Sequence, residues 1–399
     1  MGAEAIASIV QTASAAAINL DAAANAPPTP AVIRAISQAL SSGGANPSSG
    51  HFLGDKARLL LETTRDRIAA MVAGLTENGV MFTSGCTEAN NMVLKSAASV
   101  PGITVIVSAT EHPSVLRPAE WLARLGIRME VLRVDGKGTV DLDQLQGLIS
   151  GIPGPILLSI QIANSETGVL QPIDLITELL ADRPNILFHT DAAQALGKLP
   201  LWVGGAGGPH VLTASAHKMH GPMGLGAVLT GDVLPFPLEP LLLGGEQEWG
   251  YRAGTQSVPL IAGWAAAILE CQSEGPVMIE RLRLLRDSFE AALVEAVPDA
   301  RLNGGSASRL PNIANFIFPG VDGMALVAQL DAAGVAVSQG SACSSRRPEP
   351  SHVLTEMGLS EADAFSSVRF SFSRLNTEAE ARHGAAIIAD RIAYLRGLS

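Results

Sequence analysis

Seven short apolar runs separated by helical stretches constrain this chain more than any other feature. They are Val80-Met81-Phe82, Thr104 to Val107, Arg128 to Leu132, Ile156 to Ile160, Ile186 to His189, Val211 to Thr213 and Gly226 to Leu229. The runs are read as continuously apolar, not alternating, which predicts strands buried on both faces in a mostly parallel sheet wrapped by helices. After about residue 262 the pattern changes to one long helix reaching residue 297. Strands then follow at 312–318, 335–338 and 368–372, with helices at 323–332 and 377–395. The expected fold class is therefore α/β: a large unit with a mostly parallel seven-stranded sheet, and a smaller α+β unit at the C-terminal end. We divide the chain into residues 20–258, and residues 1–19 with 259–399.

The N-terminal part carries other signals. Residues 1–20 read as a short helix, and Asn25 to Pro30 as a rigid extended segment, because each proline disfavours helix in the residue before it. A helix over 31–40, a Gly/Ser/Asn/Pro loop to Gly54 and a charged helical stretch over 55–74 complete this part.

With 399 residues, 47% of them hydrophobic and 16% charged, the chain is long enough for two cores and has the balance of a globular enzyme. A net charge of -11 and the lack of a basic stripe exclude a nucleic-acid partner. No apolar run approaches the ~18 residues of a membrane span, and no membrane association is expected. Cys86, Cys271 and Cys343 lie far apart with no metal-type spacing, so no metal is expected, and the odd count suits a reducing compartment. Residues 1–19 lack a leader pattern, and the expected location is the cytoplasm.

Candidate chemistry gathers where the apolar runs end. Lys218 sits on a polar turn just after Val211 to Thr213, flanked by Gly221, Gly224 and Gly226. A lysine there loses hydration, its pKa falls, and its neutral amine can attack a carbonyl; the alternative is a surface-loop lysine. Thr83-Ser84-Gly85-Cys86-Thr87-Glu88 reads as strand, glycine turn and helix start, where backbone N–H groups favour a phosphate. A plain helix cap explains Ser84 or Thr87 equally well, and Cys86 reads as a buried thiol. His112 suits stacking on an aromatic ring or a structural hydrogen bond. Asp191 needs a cationic or protonated partner unless it caps a helix over 192–196. Thr87, His112, Asn164, Asp191, Gln194, Ser215, His217 and Lys218 all follow strand ends, which share one crevice in an open α/β sheet. A phosphate cradle, a ring-stacking histidine, a carboxylate for a pyridinium nitrogen and an aldehyde-capturing lysine are the groups that pyridoxal 5'-phosphate (PLP) requires.

Two residues stand outside that crevice in the text. Cys343 lies in the small-residue segment Val337 to Pro350, beside Arg346 and Arg347, which favour a thiolate; an ordinary loop cysteine is the alternative. Arg369, central in its predicted strand, suits bidentate capture of a carboxylate or a structural salt bridge.

Together these stretches resemble the cysteine desulfurases, class-V members of the fold-type-I PLP-dependent transferases. Thr83 to Glu88, Thr110-Glu111-His112, Asn164 to Gly168 with Gln171-Pro172-Ile173, His189 to Gln194 and Ser215-Ala216-His217-Lys218 carry the resemblance. Gln247-Glu248, Arg252 to Thr255, Gly340 to Ser344 and Glu349 to Leu354 continue it, so that it covers about residues 20–374. The long segment after Gly340 resembles the subgroup serving iron–sulfur cluster assembly and nitrogenase maturation.

The resemblance implies a role for each residue. Lys218 would hold PLP covalently and move the substrate's Cα proton, and Asp191 would pair with the ring nitrogen. His112 would stack on the ring, while Gln194 and Asn164 would lie on its oxygen side. Thr87, Ser215 and His217 would bind the phosphate, with Gly85 and Cys86 also counted as cofactor-binding, and Thr255 would complete the neighbouring subunit's phosphate site, which implies a homodimer. Arg369 and Asn164 would hold the carboxylate of L-cysteine. Cys343 would take the sulfur as a persulfide, release L-alanine and pass the sulfur to an acceptor or iron–sulfur scaffold protein. Selenocysteine lyase, aminotransferase and non-enzymatic sulfur-delivery readings remain beside this one. The chain also departs from the family's pattern. Ala22-Ala23-Ala24 follows Asp21 where polar residues are usual, and Glu246, Trp249, Ser165 and Ser371-Phe372-Ser373 replace common residues.

Overall fold

The computed structural model describes residues 17–42, 44–340 and 349–398. Its central sheet has seven strands in the order Val80–Thr83, Gly226–Thr230, Val211–Ser215, Ile186–Asp191, Ile156–Ser159, Thr104–Ser108 and Arg128–Leu132. Neighbouring strands from Val211–Ser215 to Arg128–Leu132 pair in parallel, and Gly226–Thr230 runs antiparallel to both of its neighbours. The sheet is thus mostly parallel, as the continuous apolar runs predict.

One run differs from expectation. In Arg128–Leu132 only Leu132 is fully buried, and Val131 is exposed. The strand lies at the sheet's edge, with one strand neighbour only, and the charged Arg128 and Glu130 interrupt its apolar text.

Apolar side chains from the sheet's two faces enter two layers. One contains Phe82, Ile106, Leu158, Phe188 and Leu212, and the other Met81, Val105, Leu157, Leu187 and Val211. Successive residues alternate between layers because strand side chains alternate between faces. A further core surrounds Phe289, Phe316, Phe318, Phe370 and Phe372, beneath the antiparallel sheet Arg301–Leu302, Ile313–Ile317 and Ser367–Ser371.

The helix Val258–Ala296 links these cores. Ile261, Trp264 and Ile268 pack into the first, and Leu282, Phe289 and Leu293 into the last. It is not one continuous rod: Gly275 has φ 48° and ψ -139°, followed by Pro276. Proline cannot donate to the helical ladder, and glycine tolerates positive φ, so the change of core coincides with this break.

The expected helix over 1–20 is corrected where it can be seen. Residues 1–16 lie outside the described residues, and Ile18–Asn19 is a strand paired in parallel with Val335–Ala336. Leu20 then enters the Phe-rich core, and the chain crosses to the central sheet through residues 21–26. Ala22 N donates to Ser371 O at 3.2 Å, and Ala26 N donates to His217 O at 3.0 Å. That strap brings the two strand systems against one cleft.

Candidate active site

Lys218 lies on the 3-10 turn Ala216–Met219, immediately after the strand Val211–Ser215. The turn ends at His220 with φ 67°, and the next glycines let the chain return as Gly226–Thr230. Lys218 Nζ donates to Ala23 O at 2.7 Å and Ala24 O at 2.8 Å, both on the crossing strap. Burial lowers its pKa to about 8, with Arg369 acting in the same direction and Cys86, Asp191 and Asp21 opposing. The amine is thus half-buried, held and easily neutralised, as the sequence predicts.

Asp191 ends the strand Ile186–Asp191. The helix expected over 192–196 is absent: the segment is a run of turns, with Asp191 Oδ1 accepting from Ala193 N at 2.8 Å. Asn90 Nδ2 donates to Asp191 Oδ2 at 2.8 Å, and the Cys86 thiol lies 3.5 Å from Oδ1. Burial, then the Asp191 charge, push the Cys86 thiol well above its usual range, so it stays protonated. The side chain is only partly buried, so the structure agrees with a protonated thiol but not with a fully enclosed one.

His112 caps the helix Pro113–Arg124, its Nδ1 accepting from Ser114 N at 3.1 Å and lying 2.7 Å from Ser114 Oγ. Burial lowers its pKa, so the ring is held neutral, although Asp191 opposes that shift. Gly85 precedes the helix Cys86–Ser96, whose first-turn N–H groups have no intrahelical acceptor. A Cβ on Gly226 would stand 2.6 Å from Gly85 C and from Ala214 O, so only glycine lets these backbones meet beneath that turn. Ser215 Oγ lies 2.8 Å from His217 Nδ1, and burial, then Lys218, lower the His217 pKa to about 4. Thr87 is exposed on the same helix start.

Other expected residues are more committed to the protein itself. Asn164 Oδ1 accepts from Glu166 N, Thr167 N and Thr167 Oγ1, and its Nδ2 donates to Thr110 O at 3.1 Å. Gln194 Nε2 donates to Ala23 O at 2.9 Å, while its buried Oε1 has no hydrogen-bond partner among the described residues. Arg369 Nη2 donates to Asp21 Oδ1 at 2.6 Å and Nη1 to Ser165 O at 3.0 Å, leaving a buried Nε without a hydrogen bond among the described residues. Both readings of Arg369 therefore survive: it has a salt bridge and a free donor. Thr255 is exposed and takes no part in the cluster's hydrogen bonds.

Cys343 lies outside the described residues. The chain on either side of its segment is tied to the cleft. Ser338 pairs with Arg369, and Ser338 Oγ donates to Gly340 O at 2.8 Å. Ser351 Oγ donates to Glu166 Oε2 at 2.6 Å, and the His352 ring reaches Glu111 O at 3.0 Å.

Sequence reasoning missed several polar groups. Asn90, Thr213, His189 and Ser159 are fully buried and linked by hydrogen bonds to Asp191, and Ser114 joins them to His112. Glu111 is buried with its pKa pushed well above the usual range by desolvation. Lys198 Nζ donates to Lys218 O at 3.0 Å, and burial lowers its pKa to about 8. The available signal was a polar residue inside an apolar run, such as His189 or Thr213, which must find a buried partner.

The chain matches the model of the class-V aminotransferases over residues 18–383. It is 37% identical over 384 residues to the cysteine desulfurase of Trichormus azollae, covering 96% of this chain and 94% of that one. It is 38% identical over 385 residues to cysteine desulfurase IscS of Dictyoglomus turgidum, covering 96% of each. Among solved structures, a NifS-like protein of Rickettsia africae superposes with a TM-score of 0.84 at 31% identity, covering 95% of this chain and 99% of that one. SspA in complex with cysteine gives a TM-score of 0.78 at 31% identity, covering 90% and 99%. With near-complete coverage in both sequence and structure, the chain belongs to the class-V aminotransferase family, on the branch that holds the curated cysteine desulfurases.

Proposed function

We propose that this protein is a PLP-dependent L-cysteine desulfurase that converts L-cysteine to L-alanine and receives the sulfur on Cys343 as a persulfide. The observation that carries this reading is a half-buried lysine amine on the turn that leaves one sheet strand, beside a carboxylate that ends the neighbouring parallel strand and is held by three donors. Lys218 is electrostatically coupled to Asp191, whose donors are Asn90, Ala193 N and the Cys86 thiol, and His112 is coupled to both.

The residues present fit the cofactor. Asp191 offers a fixed anion for a ring nitrogen, and the first turn of Cys86–Ser96, with Ser215 and His217, offers donors for a phosphate. His112 presents a neutral ring for stacking. When bound, PLP supplies an electron sink that stabilises a carbanion at the substrate's Cα and weakens the C–S bond.

The protein's own groups do the rest. The Lys218 amine, with a pKa near 8, can accept and return a proton at Cα close to neutral pH. The Arg369 Nε–H, unpartnered among the described residues, offers a further donor to a substrate carboxylate, and Asp21 and Ser165 O hold the guanidinium for it. The Cys343 thiolate attacks the substrate sulfur: an S–S bond forms as the C–S bond breaks, and Cβ gains a proton. L-Cysteine and the enzyme thiol thus become L-alanine and an enzyme persulfide, with no external oxidant or reductant. Two residues lie between Gly340 and Cys343 in the sequence, three Cα–Cα steps that reach at most about 11 Å.

The same reading assigns Thr255 to the phosphate site of a second subunit in a homodimer, and the persulfide to an acceptor protein of iron–sulfur cluster assembly. The test is to add L-cysteine to PLP-loaded protein and assay alanine and sulfide for wild type, Lys218→Ala and Cys343→Ala. Both variants lose sulfide release, and only Cys343→Ala keeps the yellow colour. Unchanged turnover in Cys343→Ala refutes the persulfide, and a wild type that never takes up PLP refutes the whole reading.

A further inference from the structure

Asp191 is the end point of a buried chain of hydrogen bonds whose direction can be worked out from its members. Asn90, on the helix Cys86–Ser96, donates from Nδ2 to Asp191 Oδ2 and to Ser114 Oγ, each at 2.8 Å. Turning the amide over would set its oxygen against a carboxylate oxygen, so Asp191 itself fixes the orientation. Asn90 Oδ1 must then accept, and Thr213 Oγ1 donates to it at 2.5 Å. With its proton committed, Thr213 accepts from His189 Nε2 at 3.1 Å. His189 Nδ1 in turn accepts from the Ser159 hydroxyl at 2.9 Å.

The second branch is fixed in the same way. Ser114 accepts from Asn90, so its own proton goes to His112 Nδ1, 2.7 Å away, and His112 carries its proton on Nε2. Every donor in the chain thus points from Ser159 toward Asp191, and one amide joins Asp191 to His112. Ser159, His189, Thr213 and Asn90 are completely buried, out of reach of bulk solvent. Desolvation lowers the His189 pKa to about 4, which agrees with the neutral ring this pattern requires.

We propose that Asn90, through the donor chain Ser159–His189–Thr213, is a positioning residue that holds the Asp191 carboxylate in place and sets how strongly it stabilises a protonated cofactor ring nitrogen. This rests on the PLP reading above. The titratable groups coupled electrostatically to Asp191 are Cys86, Glu111, His112, His189 and Lys218. Asn90 is the neutral group that touches Asp191 while linking His112 and His189 to it.

The consequence is spectroscopic. A protonated ring nitrogen draws electrons from the cofactor's junction with Lys218 and lowers the proton affinity of that nitrogen. Without the Asn90 donor, the carboxylate competes for the ring proton, and the junction nitrogen titrates at higher pH. The experiment is a pH titration of the visible absorption band of PLP-loaded protein, with the PLP dissociation constant measured alongside. It compares wild type, Asn90→Ala, Thr213→Val and the conservative Thr213→Ser.

Asn90→Ala is expected to raise the midpoint by about one pH unit and weaken PLP binding roughly tenfold, the loss of one charge-assisted hydrogen bond. Thr213→Val, which preserves shape, shifts the midpoint the same way by less, and Thr213→Ser restores the wild-type value. If Asn90→Ala does not fold, Thr213→Val against Thr213→Ser decides. Midpoints equal to wild type in the folded variants, with only the melting temperature lowered, overturn the proposal and leave the chain as core packing. A wild type without a visible band overturns the PLP reading as well, which separates the two failures.

Discussion

Replacing Glu248 by glutamine is a demanding test of how the segment before Thr255 is held. Arg65 Nη2 donates to Glu248 Oε1 at 2.7 Å, and the two side chains are 3% and 1% exposed. Glu248 Oε2 also accepts from Phe82 N, and Oε1 from Gln256 Nε2, each at 2.8 Å. Arg65 lies between the rings of Phe82 and Trp249, at 4.8 and 4.5 Å from their centroids. These contacts hold Glu248 and Trp249 at φ 51° and 54°, left-handed conformations that cost roughly 1–3 kcal/mol each for non-glycine residues.

Removing the negative charge leaves a buried guanidinium uncompensated, a loss of about 3–5 kcal/mol. The half-exposed Glu62 carboxylate, 3.4 Å from Arg65 Nε, returns at most about 1 kcal/mol of this. The expected net loss for Glu248→Gln is therefore about 3 kcal/mol. With a urea slope of about 3 kcal/mol/M, the midpoint falls by roughly 1 M. The assay is urea unfolding followed by circular dichroism on wild type, Glu248→Gln and the apolar pair Arg65→Met with Glu248→Leu. The pair recovers part of the loss because neither charge stays behind. A loss below ~1 kcal/mol for Glu248→Gln, the range of an exposed ion pair, refutes the reasoning.

Two further outcomes follow from other residues. Burial lowers the pKa of His189, His217 and His220 to about 4, so the folded protein binds fewer protons than the unfolded chain between about pH 4 and 6.5. Their contribution is complete above about 6.5 and is lost as pH falls through about 4; melting temperatures that stay flat across this window contradict it. Arg369→Lys keeps a positive charge but loses the planar fork, and should raise KM for L-cysteine by about 10–100-fold with kcat changed less. Steady-state kinetics check this, and an unchanged KM removes Arg369 from substrate binding.

The legible part of this protein was written in patterns that act locally. Continuous apolar runs can only be strands covered on both faces, and residues placed just after them must meet at one sheet end. Lys218, Asp191 and His112 were singled out as candidates this way. The expectation failed where a residue's surroundings depend on distant chain. Arg128–Leu132 is half-exposed because of its edge position in the strand order, and Gly275 with Pro276 breaks a helix that periodicity reads as continuous. Nothing near Asn90 in the text says that its amide will face Asp191, a contact across 101 positions.

By itself, the sequence determined the layered α/β architecture, the small unit that follows it, and the residue types gathered at one strand end. Hydrophobic period and turn chemistry are properties of neighbouring residues. Tertiary structure alone decided which polar groups are spent on the protein and which remain available. Asn164 closes its own turn, Asp21 takes one arm of Arg369, and the strap at Ala23 and Ala24 holds the Lys218 amine. Those outcomes depend on which donors and acceptors lose water together, and that is set only when distant segments pack.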